Sequence, residues 1–267
     1  MPALSASEYE RVRLLVHATV GIELGPAKQS LVEARLAKRM RELDLTSHGD
    51  YIARIEDAPD GDEMALLLDA ISTNVTSFFR ERAGLDAIAA LHAEAVRGGQ
   101  RRLRYWSAAS SSGEEPYSLA MLLAEAAPLT GLDLAILGTD ISTRVIARAR
   151  AGRYGPQAVA GIPADLRRRY LQPAGDLEEI NPALRSLVTI NRLNLIRPPF
   201  PMRGPFDAVL CRNVMIYFDL PTRARLLAEI ARLLRPGGLL VTGQAESLAG
   251  HTPGFEVVKP SIYRRTR

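Results

Sequence analysis

The sequence contains few residues that would cross-link the chain or bind a metal. Among its 267 residues there is a single cysteine, Cys211, which excludes an intramolecular disulfide. The histidines, at positions 17, 48, 92 and 251, are scattered, so no Cys/His cluster has metal-ligand spacing. The first 21 residues include Glu8, Glu10 and Arg11, which is typical of neither a signal peptide nor a membrane span. We therefore expect a reducing, cytoplasmic location, no bound metal and no direct membrane insertion.

Lysine is also rare, since it occurs only at positions 28, 38 and 259, and the positive charge is almost all arginine. Arginine binds carboxylates and phosphates through its planar guanidinium, but compositional bias in an Ala/Arg-rich genome accounts for most of this excess. The net charge is +4, with 47% hydrophobic and 24% charged residues. These values are ordinary for a globular protein, and the length suits one large domain or two small ones.

Two common phosphate-binding motifs are missing from residues 103–118, which predict a strand, a tight turn and a helix. Gly113 is the only glycine of the turn, so G-x-G-x-x-G is absent, and no lysine follows it as in a P-loop. The small residues 107–113 allow a ligand to approach the backbone and the free N–H groups of the helix. Glu114 and Glu115 would repel phosphate and suit a ligand with hydroxyls and positive charge, such as S-adenosylmethionine. An ordinary strand-turn-helix is the alternative.

Residues 1–72 predict a small all-α domain. A capping box from Ser5 to Glu8 begins the first helix, and Pro26 opens the second. The apolar stripe of the second helix consists of Val32, Leu36, Met40 and Leu43. Another face of the same helix gathers the basic residues Lys28, Arg35, Lys38 and Arg39. Such a face is usually only solvated, and the alternative is a docking surface for an acidic partner.

Residues 73–100 predict a linker and a helix. Phe78 and Phe79 must be buried, and their burial would hold Asn74, Thr76 and Arg80 at the seam between two domains. The alternative is a plain helix start in which Asn74 or Thr76 is the N-cap.

From residue 101 onward the pattern alternates between strands and helices, as in a doubly wound α/β sheet. The second strand ends at Asp140, where a carboxylate commonly binds ribose hydroxyls. The proline-rich residues 152–186 interrupt the alternation and predict an inserted subdomain. We expect the fourth strand over 206–213, the fifth over 239–242, and a terminal hairpin from Phe255.

The sequence closely resembles the chemotaxis receptor methyltransferases, which are CheR-type protein-glutamate O-methyltransferases. The similar stretches follow the family's order across most of the chain; they are residues 74–81, 107–118, 138–142, 192–195, 206–219 and 233–240. Cys211 to Phe218, Cys-Arg-Asn-Val-Met-Ile-Tyr-Phe, is the most specific of them.

The resemblance implies an α/β class I S-adenosylmethionine-dependent methyltransferase fold, in which a Rossmann-like sheet ends in a C-terminal antiparallel hairpin. The implied segments are a helical N-terminal domain (1–72), a linker and helix (73–100), and a cofactor-binding domain (101–267) with a β-subdomain inserted at 152–186. The implied reaction transfers a methyl group to glutamate carboxylates of chemoreceptors, giving methyl esters and S-adenosylhomocysteine. The partners would be the receptors' cytoplasmic helices, with the basic face as a possible docking surface. Nucleic acid is not expected as a partner. The protein is expected to be a monomer.

The resemblance also assigns site residues. Arg80 can hold the cofactor's carboxylate or the incoming glutamate. Tyr217 can line the methyl position, or it can be a core aromatic. The implied cofactor contacts are Asn74, Thr76, Arg80, Ala108, Glu115, Asp140, Asn194, Leu195, Arg212 and Asn213.

The sequence departs from the family at three places. Ser110-Ser111-Ser112-Gly113 stands where Cys-Ser-Thr-Gly is frequent, and Gly243-Gln244-Ala245-Glu246 where Gly-His-Ser-Glu is frequent. The loop at 173–176 looks shorter than in members whose β-subdomain binds a receptor tail, which argues against that docking mode here.

Two other functions compete with this interpretation. Amino methyltransferases acting on nucleic acid or small molecules often carry (Asp/Asn)-Pro-Pro-(Tyr/Phe) after the fourth strand, where residues 212–215 read Arg-Asn-Val-Met. A cofactor-binding sensor or scaffold without turnover is the non-enzymatic alternative. Arg80, Asp140, Asn213 and Tyr217 argue against that loss of activity.

Overall fold

The computed structural model describes residues 3–59, 61–72, 74–248 and 254–266. It divides into two compact units. One comprises residues 1–73 with 217–223, and the other comprises residues 74–216 with 224–267. Thr73, where the linker was predicted to begin, lies outside the described residues.

Within the described residues, the first unit contains the α-helices α1 Ala6–Val20, α2 Gln29–Glu42, α3 His48–Asp57 and α4 Asp62–Ile71, and a 3₁₀ helix at Pro26–Lys28 precedes α2. The predicted capping box begins α1, where the Ser5 hydroxyl accepts the Glu8 N–H and the Glu8 carboxylate accepts the Ser5 N–H. Val32, Leu36 and Met40 of the predicted stripe on α2 are fully buried. The burial of this stripe is what holds α2 in the helical unit.

The second unit is built on a seven-stranded sheet. The strands of the chain are β1 Arg102–Ser107, β2 Asp133–Asp140, β3 Arg153–Tyr154, β4 Leu171–Ala174, β5 Leu177–Ile180, β6 Val188–Arg192, β7 Phe206–Cys211, β8 Leu234–Thr242, β9 Phe255–Lys259 and β10 Ile262–Arg265. The order in the large sheet is β6-β2-β1-β7-β8-β10-β9. The first five pair in parallel and the last two form an antiparallel hairpin. The predicted fold class is confirmed.

The helices of this unit are α5 Arg82–Arg97, α6 Glu114–Ala126, α7 Thr143–Ala151, α8 Pro156–Val159, α9 Ala164–Tyr170 and α10 Pro182–Arg185. The helix α11 Leu220–Leu233 belongs to it from Ala224 onward. Phe78 is buried in its core and packs edge-on against Tyr154, with ring centroids 4.9 Å apart. The neighbouring Phe79 N–H donates to the Ser118 hydroxyl at 2.9 Å. Phe78 is therefore buried as predicted, whereas Phe79 is half-buried and is bound to α6 through its backbone N–H.

Two strand boundaries differ from the prediction. The strand β7 ends at Cys211 rather than Asn213, because Asn213 has a φ of 56°, which is incompatible with extended backbone. The strand β8 begins at Leu234 rather than Leu239, because Leu234 already pairs with Phe206 and a bulge absorbs Pro236 and the glycines.

Part of the segment at 152–186 forms a second sheet. Its order is β3-β5-β4, and all pairs are antiparallel. Gly152, with a φ of 62°, ends α7 and turns the chain into β3. Leu171 and Ile180 are buried on one side of this small sheet, which gives it an apolar attachment.

The parallel strands bring five chain segments to one edge of the large sheet. Ser107 pairs with Gly138 and Leu210, and Leu210 pairs with Val241, so these strands end at nearly the same level. Ligands of open α/β sheets bind beyond the carboxyl ends of the strands. The residues that follow β1, β2, β6, β7 and β8 are therefore the candidates for a site.

Candidate active site

The turn after β1 continues the hydrogen bonding of its two neighbours. The Ala108 N–H donates to the Leu210 carbonyl and the Ser110 N–H to the Thr139 carbonyl, both at 2.8 Å. Gly113 ends the turn with a φ of 98°, and a Cβ there would lie 2.7 Å from the Tyr154 hydroxyl. Only glycine satisfies both conditions. The backbone of this turn is thereby fixed at the edge of the sheet.

Asp140 binds the same turn from the next strand. Its Oδ2 accepts the Ser111 N–H at 2.9 Å, and its Oδ1 accepts the Ser142 N–H at 3.0 Å. A carboxylate at the end of this strand is the group that commonly binds ribose hydroxyls in such sheets. The Ser111 hydroxyl in turn donates to the Asn74 carbonyl at 3.4 Å. These bonds bring Asp140 and Asn74 to the same turn.

Glu115 and Glu114 face different surroundings. The Glu115 carboxylate accepts the Ser107 hydroxyl at 2.7 Å and Nη1 of Arg212 at 2.8 Å. The Glu114 carboxylate is buried and accepts only from Ser112 among the residue pairs described, at 2.8 and 3.0 Å. Glu115 therefore joins the residues that follow β7, and Glu114 does not.

Arg212 lies at the centre of a buried ionic network. It is 5% exposed, and its Nη2 donates to the Arg80 carbonyl at 2.5 Å and to Glu81 at 3.2 Å. Glu81 also accepts the Asn213 amide at 3.3 Å and the Gln244 N–H at 3.2 Å. Burial alone would raise the pKa of the Glu81 carboxyl, but Arg212 and these donors hold it below its ordinary value.

Several non-glycine residues around this network have left-handed backbone. The φ angles are 56° at Phe79, 48° at Glu81, 47° at Ser111 and 56° at Asn213. Each such residue costs about 1–3 kcal/mol and persists where its surroundings impose it. Their concentration here is typical of a functional site.

The linker residues predicted for the site are half-buried. Asn74, Thr76 and Arg80 all have intermediate exposure. The Arg80 Nη1 donates to the Val75 carbonyl at 2.9 Å, and 37% of the Arg80 side chain is exposed. The guanidinium of Arg80 thus keeps donors for a ligand.

Asn194 and Leu195 follow β6 next to Asp140. The Leu193 N–H donates to the Asp140 carbonyl at 2.9 Å, which places the two following residues at that end of β2. Leu195 is buried, and the Asn194 side chain accepts the Ile196 N–H at 3.2 Å. Their proximity to Asp140 agrees with a shared role.

Tyr217 lies in the first unit, together with residues 218–223. Its carbonyl accepts the Glu23 N–H at 3.0 Å. Its place beside the transferred methyl group stays a prediction.

Three buried polar atoms of these segments have no hydrogen-bond partner within the described chain: Nδ2 of Asn74, Oγ of Ser110 and Nε of Arg212. Buried polar atoms are normally paired, and exceptions require an explanation. These donors, together with the carboxylates of Asp140 and Glu115, fit a ligand that carries a carboxylate, hydroxyls and positive charge. S-adenosylmethionine has all three.

Two residues of this site were missed in the sequence, Glu81 and Glu246. Glu81 closes the network around Arg212, and Glu246 binds backbone N–H groups of the loops after β7 and β8. Both lie in stretches where the sequence resembles the family, 74–81 and 243–246, but these stretches do not indicate the bonds of Glu81 and Glu246 to the loop after β7. Within the described ranges, no helix is both long and apolar enough to span a membrane.

Comparisons with known proteins agree with this geometry. A sequence model of the CheR methyltransferase all-alpha domain matches residues 7–72, and one of the CheR methyltransferase SAM binding domain matches residues 74–264. The chain is 36% identical to a chemotaxis protein methyltransferase of Klebsiella aerogenes, over 99% of this chain and 91% of that protein. It is 38% identical to chemotaxis protein methyltransferase 2 of Pseudomonas aeruginosa, over 96% of this chain and 92% of that protein. Identity to the Escherichia coli chemotaxis protein methyltransferase is 35%, over 98% and 91% respectively.

Proposed function

Because the chain belongs to the CheR methyltransferase family, we propose that it methylates glutamate side chains of chemoreceptors with S-adenosylmethionine. The products are glutamate methyl esters and S-adenosylhomocysteine. The observation that carries this proposal is the set of residues at the carboxyl edge of the sheet, where Asp140 and the Glu115–Arg212 ion pair occur together with buried donors that have no partner within the described chain. The family match confirms the predicted cofactor and the class of enzyme.

The cofactor is held by residues of the linker and of four segments at the sheet edge, those at the ends of β1, β2, β6 and β7. Asp140 accepts the ribose hydroxyls, and Glu115 supplies negative charge toward the ammonium and sulfonium. Asn74, Thr76 and Arg80 bind from the linker, and Ala108 presents its backbone. Arg212 and Asn213, with Asn194 and Leu195, complete the pocket. When bound, S-adenosylmethionine supplies a methyl group activated by its sulfonium.

The protein needs no general base for this reaction. A glutamate side chain has a pKa of about 4.3 and is already ionised at pH 7. The remaining task is to align the carboxylate with the methyl group, and alignment contributes about 7–11 kcal/mol in well-oriented reactions. In this alignment Arg80 holds the carboxylate of the cofactor or that of the incoming glutamate. Tyr217 lines the position of the transferred methyl group.

In this proposal the basic face of α2 binds the acidic receptor helix, but Arg39 is not one of the residues that bind it. Lys28, Arg35 and Lys38 are exposed. Arg39, by contrast, has only 13% of its side chain exposed, donates to Glu63 at 2.8 and 3.0 Å, and also pairs with Glu42. Its charge is already balanced within the helical unit. The docking surface therefore consists of Arg35 and Lys38 on α2 and of Lys28 immediately before it, and Arg39 joins α2 to α4.

Further parts of the proposal follow from this substrate. The receptor helices are cytoplasmic, so the enzyme acts in the cytoplasm, as a monomer. The segments 1–72, 73–100 and 101–267 have separate tasks in docking, linkage and catalysis. The β-subdomain at 152–186 is inserted in the catalytic segment.

Methyl transfer to receptor cytoplasmic fragments tests the proposal. Tritiated S-adenosylmethionine is supplied with receptor fragments or with nucleic acid, and the labelled product is treated with base. Release of volatile methanol from the receptor only is the expected result. Base-stable label, or label on nucleic acid, would replace the proposal with amino methyl transfer. Cofactor binding without any transfer would favour a sensor.

A further inference from the structure

Glu246 holds two loops of the site with one carboxylate. Its Oε2 accepts the N–H of Asn213 at 2.6 Å and that of Gly243 at 2.7 Å, while its Oε1 accepts the N–H of Ile216 at 3.1 Å. The residue is 5% exposed. Three backbone bonds to one buried carboxylate join the loop after β7 to the loop after β8.

The backbone of Glu246 is itself fixed. Its N–H donates to the Gly243 carbonyl at 2.9 Å, and its carbonyl accepts the Thr242 hydroxyl at 3.0 Å. A Cβ at Gly243 would lie 2.6 Å from the Asn213 amide nitrogen and 2.7 Å from Oε2 of Glu246. The loop after β8 therefore admits no side chain at position 243 while the carboxylate holds Asn213.

The bond to Asn213 acts on a strained residue. Asn213 has left-handed backbone, with a φ of 56°, and its side chain donates to Glu81 on the other side at 3.3 Å. Glu81 and Glu246 thus bind the side chain and the backbone of the same residue. A left-handed non-glycine residue needs such support, because it costs about 1–3 kcal/mol.

We propose that Glu246 is a positioning residue, whose carboxylate imposes the left-handed conformation of Asn213 and thereby orients Arg212 and Asn213 toward the cofactor. This inference rests on the proposed function, since it assigns the two oriented residues to cofactor binding. In this role Glu246 acts through Asn213 and Arg212 and not through contact with substrate or cofactor.

The departures at positions 244 and 245 agree with this role. Gln244 and Ala245 are both exposed, and the contact of Gln244 with Glu81 is made by its backbone N–H. The side chains at 244 and 245 can therefore vary. The contacts of this loop with Asn213 depend on Gly243 and Glu246.

The test compares Glu246→Gln with the matched control Glu229→Gln. A glutamine at 246 keeps the length but offers one acceptor oxygen, so at least one backbone N–H loses its partner and faces an NH₂ group. Glu229 is also a buried glutamate of the second unit, and it accepts the Phe200 N–H at 2.8 Å away from the site. Both variants lose a carboxylate that binds backbone, but only one affects Asn213.

We expect Glu246→Gln to lower kcat/KM on the order of 10²-fold, as a misplacement of about 1 Å does. S-adenosylhomocysteine should bind more weakly to this variant in calorimetry. Glu229→Gln should match the parent protein in both measurements. If Glu246→Gln and Glu229→Gln lose activity and product binding to the same extent, the loss reflects stability only and the positioning role is overturned. Parent-like activity and binding in Glu246→Gln would overturn it as well.

A double-mutant cycle tests whether Glu246 affects cofactor binding through Asn213. If Glu246 acts through Asn213, Glu246→Gln should add little to the loss caused by Asn213→Ala. The same change should be additive with Asp140→Ala, since Asp140 binds a different turn. Additivity with Asn213→Ala would overturn the proposal.

A second variant covers the case in which Glu246→Gln does not fold. In Gly243→Ala the added Cβ should displace the Asn213 side chain and the carboxylate together, and reproduce the weaker product binding. Parent-like binding by a folded Gly243→Ala would overturn the inference. A parent protein that binds no S-adenosylhomocysteine and transfers no methyl would overturn the proposed function instead.

Discussion

Nη1 of Arg212 donates to Oε2 of Glu115 at 2.8 Å and so links the residue after β7 to the first turn of α6. Only 3% of the Arg212 side chain and 12% of the Glu115 side chain are exposed. A buried ion pair contributes little net stability but imposes geometry. Here it fixes the separation of two strand ends that border the proposed cofactor site.

Replacing Arg212 with methionine should destabilise the protein by roughly 3 kcal/mol, because Glu81 and Glu115, whose side chains are only 19% and 12% exposed, then lose their common cation. Urea unfolding at pH 7 measures the loss. The double variant Arg212→Met/Glu115→Gln should lose less than the sum of the single changes. A loss below 0.5 kcal/mol for Arg212→Met would contradict the central place of this residue in the network.

Replacing Asp140 with alanine should weaken S-adenosylhomocysteine binding by about 1–3 kcal/mol, through the loss of charge-assisted hydrogen bonds to hydroxyls. Asp133→Ala is the matched control, since Asp133 begins the same strand and pairs with Arg104 at its other end. Calorimetry should show weaker S-adenosylhomocysteine binding for Asp140→Ala and unchanged binding for Asp133→Ala. Parent-like affinity in Asp140→Ala would remove the ribose assignment.

The sequence predicted those parts of the site that depend on strand ends. Asp140 and the turn at 107–113 could be placed because the carboxyl ends of parallel strands share an edge. Gly113 could be identified as special because it was the only glycine in the turn. These features are set within one strand-turn-helix unit, so local pattern suffices.

Glu81, Glu246 and Arg39 could not be placed in this way. Glu81 contacts residues 212, 213 and 244, and Glu246 contacts 213, 216 and 243, so both depend on the packing of separate segments. Arg39 looked exposed beside the apolar stripe of α2, but its carboxylate partner Glu63 lies on α4. Helical periodicity locates a side chain on a face and does not identify its neighbour from another helix.

Replacing Arg80 with alanine should abolish most methyl transfer and leave the fold intact, because 37% of its side chain is exposed and its ion pair with Glu81 is long, at 3.9 Å. Arg82→Ala is the matched control. Arg82 lies two residues away, is 49% exposed in its side chain and pairs with Asp86 on α5. Initial rates and thermal melting should be measured for both. Arg80→Ala activity within twofold of the parent would refute this role.

Glu81 should make the stability depend on pH in the acid range. Its folded-state pKa lies below the ordinary value of about 4.5, so its contribution is present above that value and is lost as the pH falls through the folded-state pKa. The destabilisation caused by Glu81→Gln should therefore be larger at pH 7 than at pH 3.

Urea unfolding of the parent protein and of Glu81→Gln at a series of pH values checks this linkage. Glu94→Gln, at an exposed position on α5, controls for the removal of one negative charge. A difference between parent and Glu81→Gln that stays constant from pH 7 to pH 3 would show that Arg212 does not lower the pKa of this carboxyl in solution.

Reversing Arg35 and Lys38 to glutamate should raise the KM for receptor and leave the affinity for S-adenosylhomocysteine unchanged. Both side chains are exposed on α2, and methylation helices rich in glutamate carry the opposite charge. Arg39 is left intact, because its reversal would place three carboxylates together with Glu63 and Glu42 and destabilise the helical unit.

The size and salt dependence of this effect distinguish docking from a solvated face. Each exposed charge pair contributes only about 0.2–1 kcal/mol, so the double reversal is the informative change. Such pairs are screened over about 10 Å at 0.1 M ionic strength. The KM difference between parent and Arg35→Glu/Lys38→Glu should therefore be large in dilute buffer and shrink as salt is added. The double variant Arg97→Glu/Arg102→Glu carries the same change of net charge on exposed residues of the second unit. If both double variants raise KM equally, the long-range charge of the protein attracts the receptor and α2 is not its docking surface.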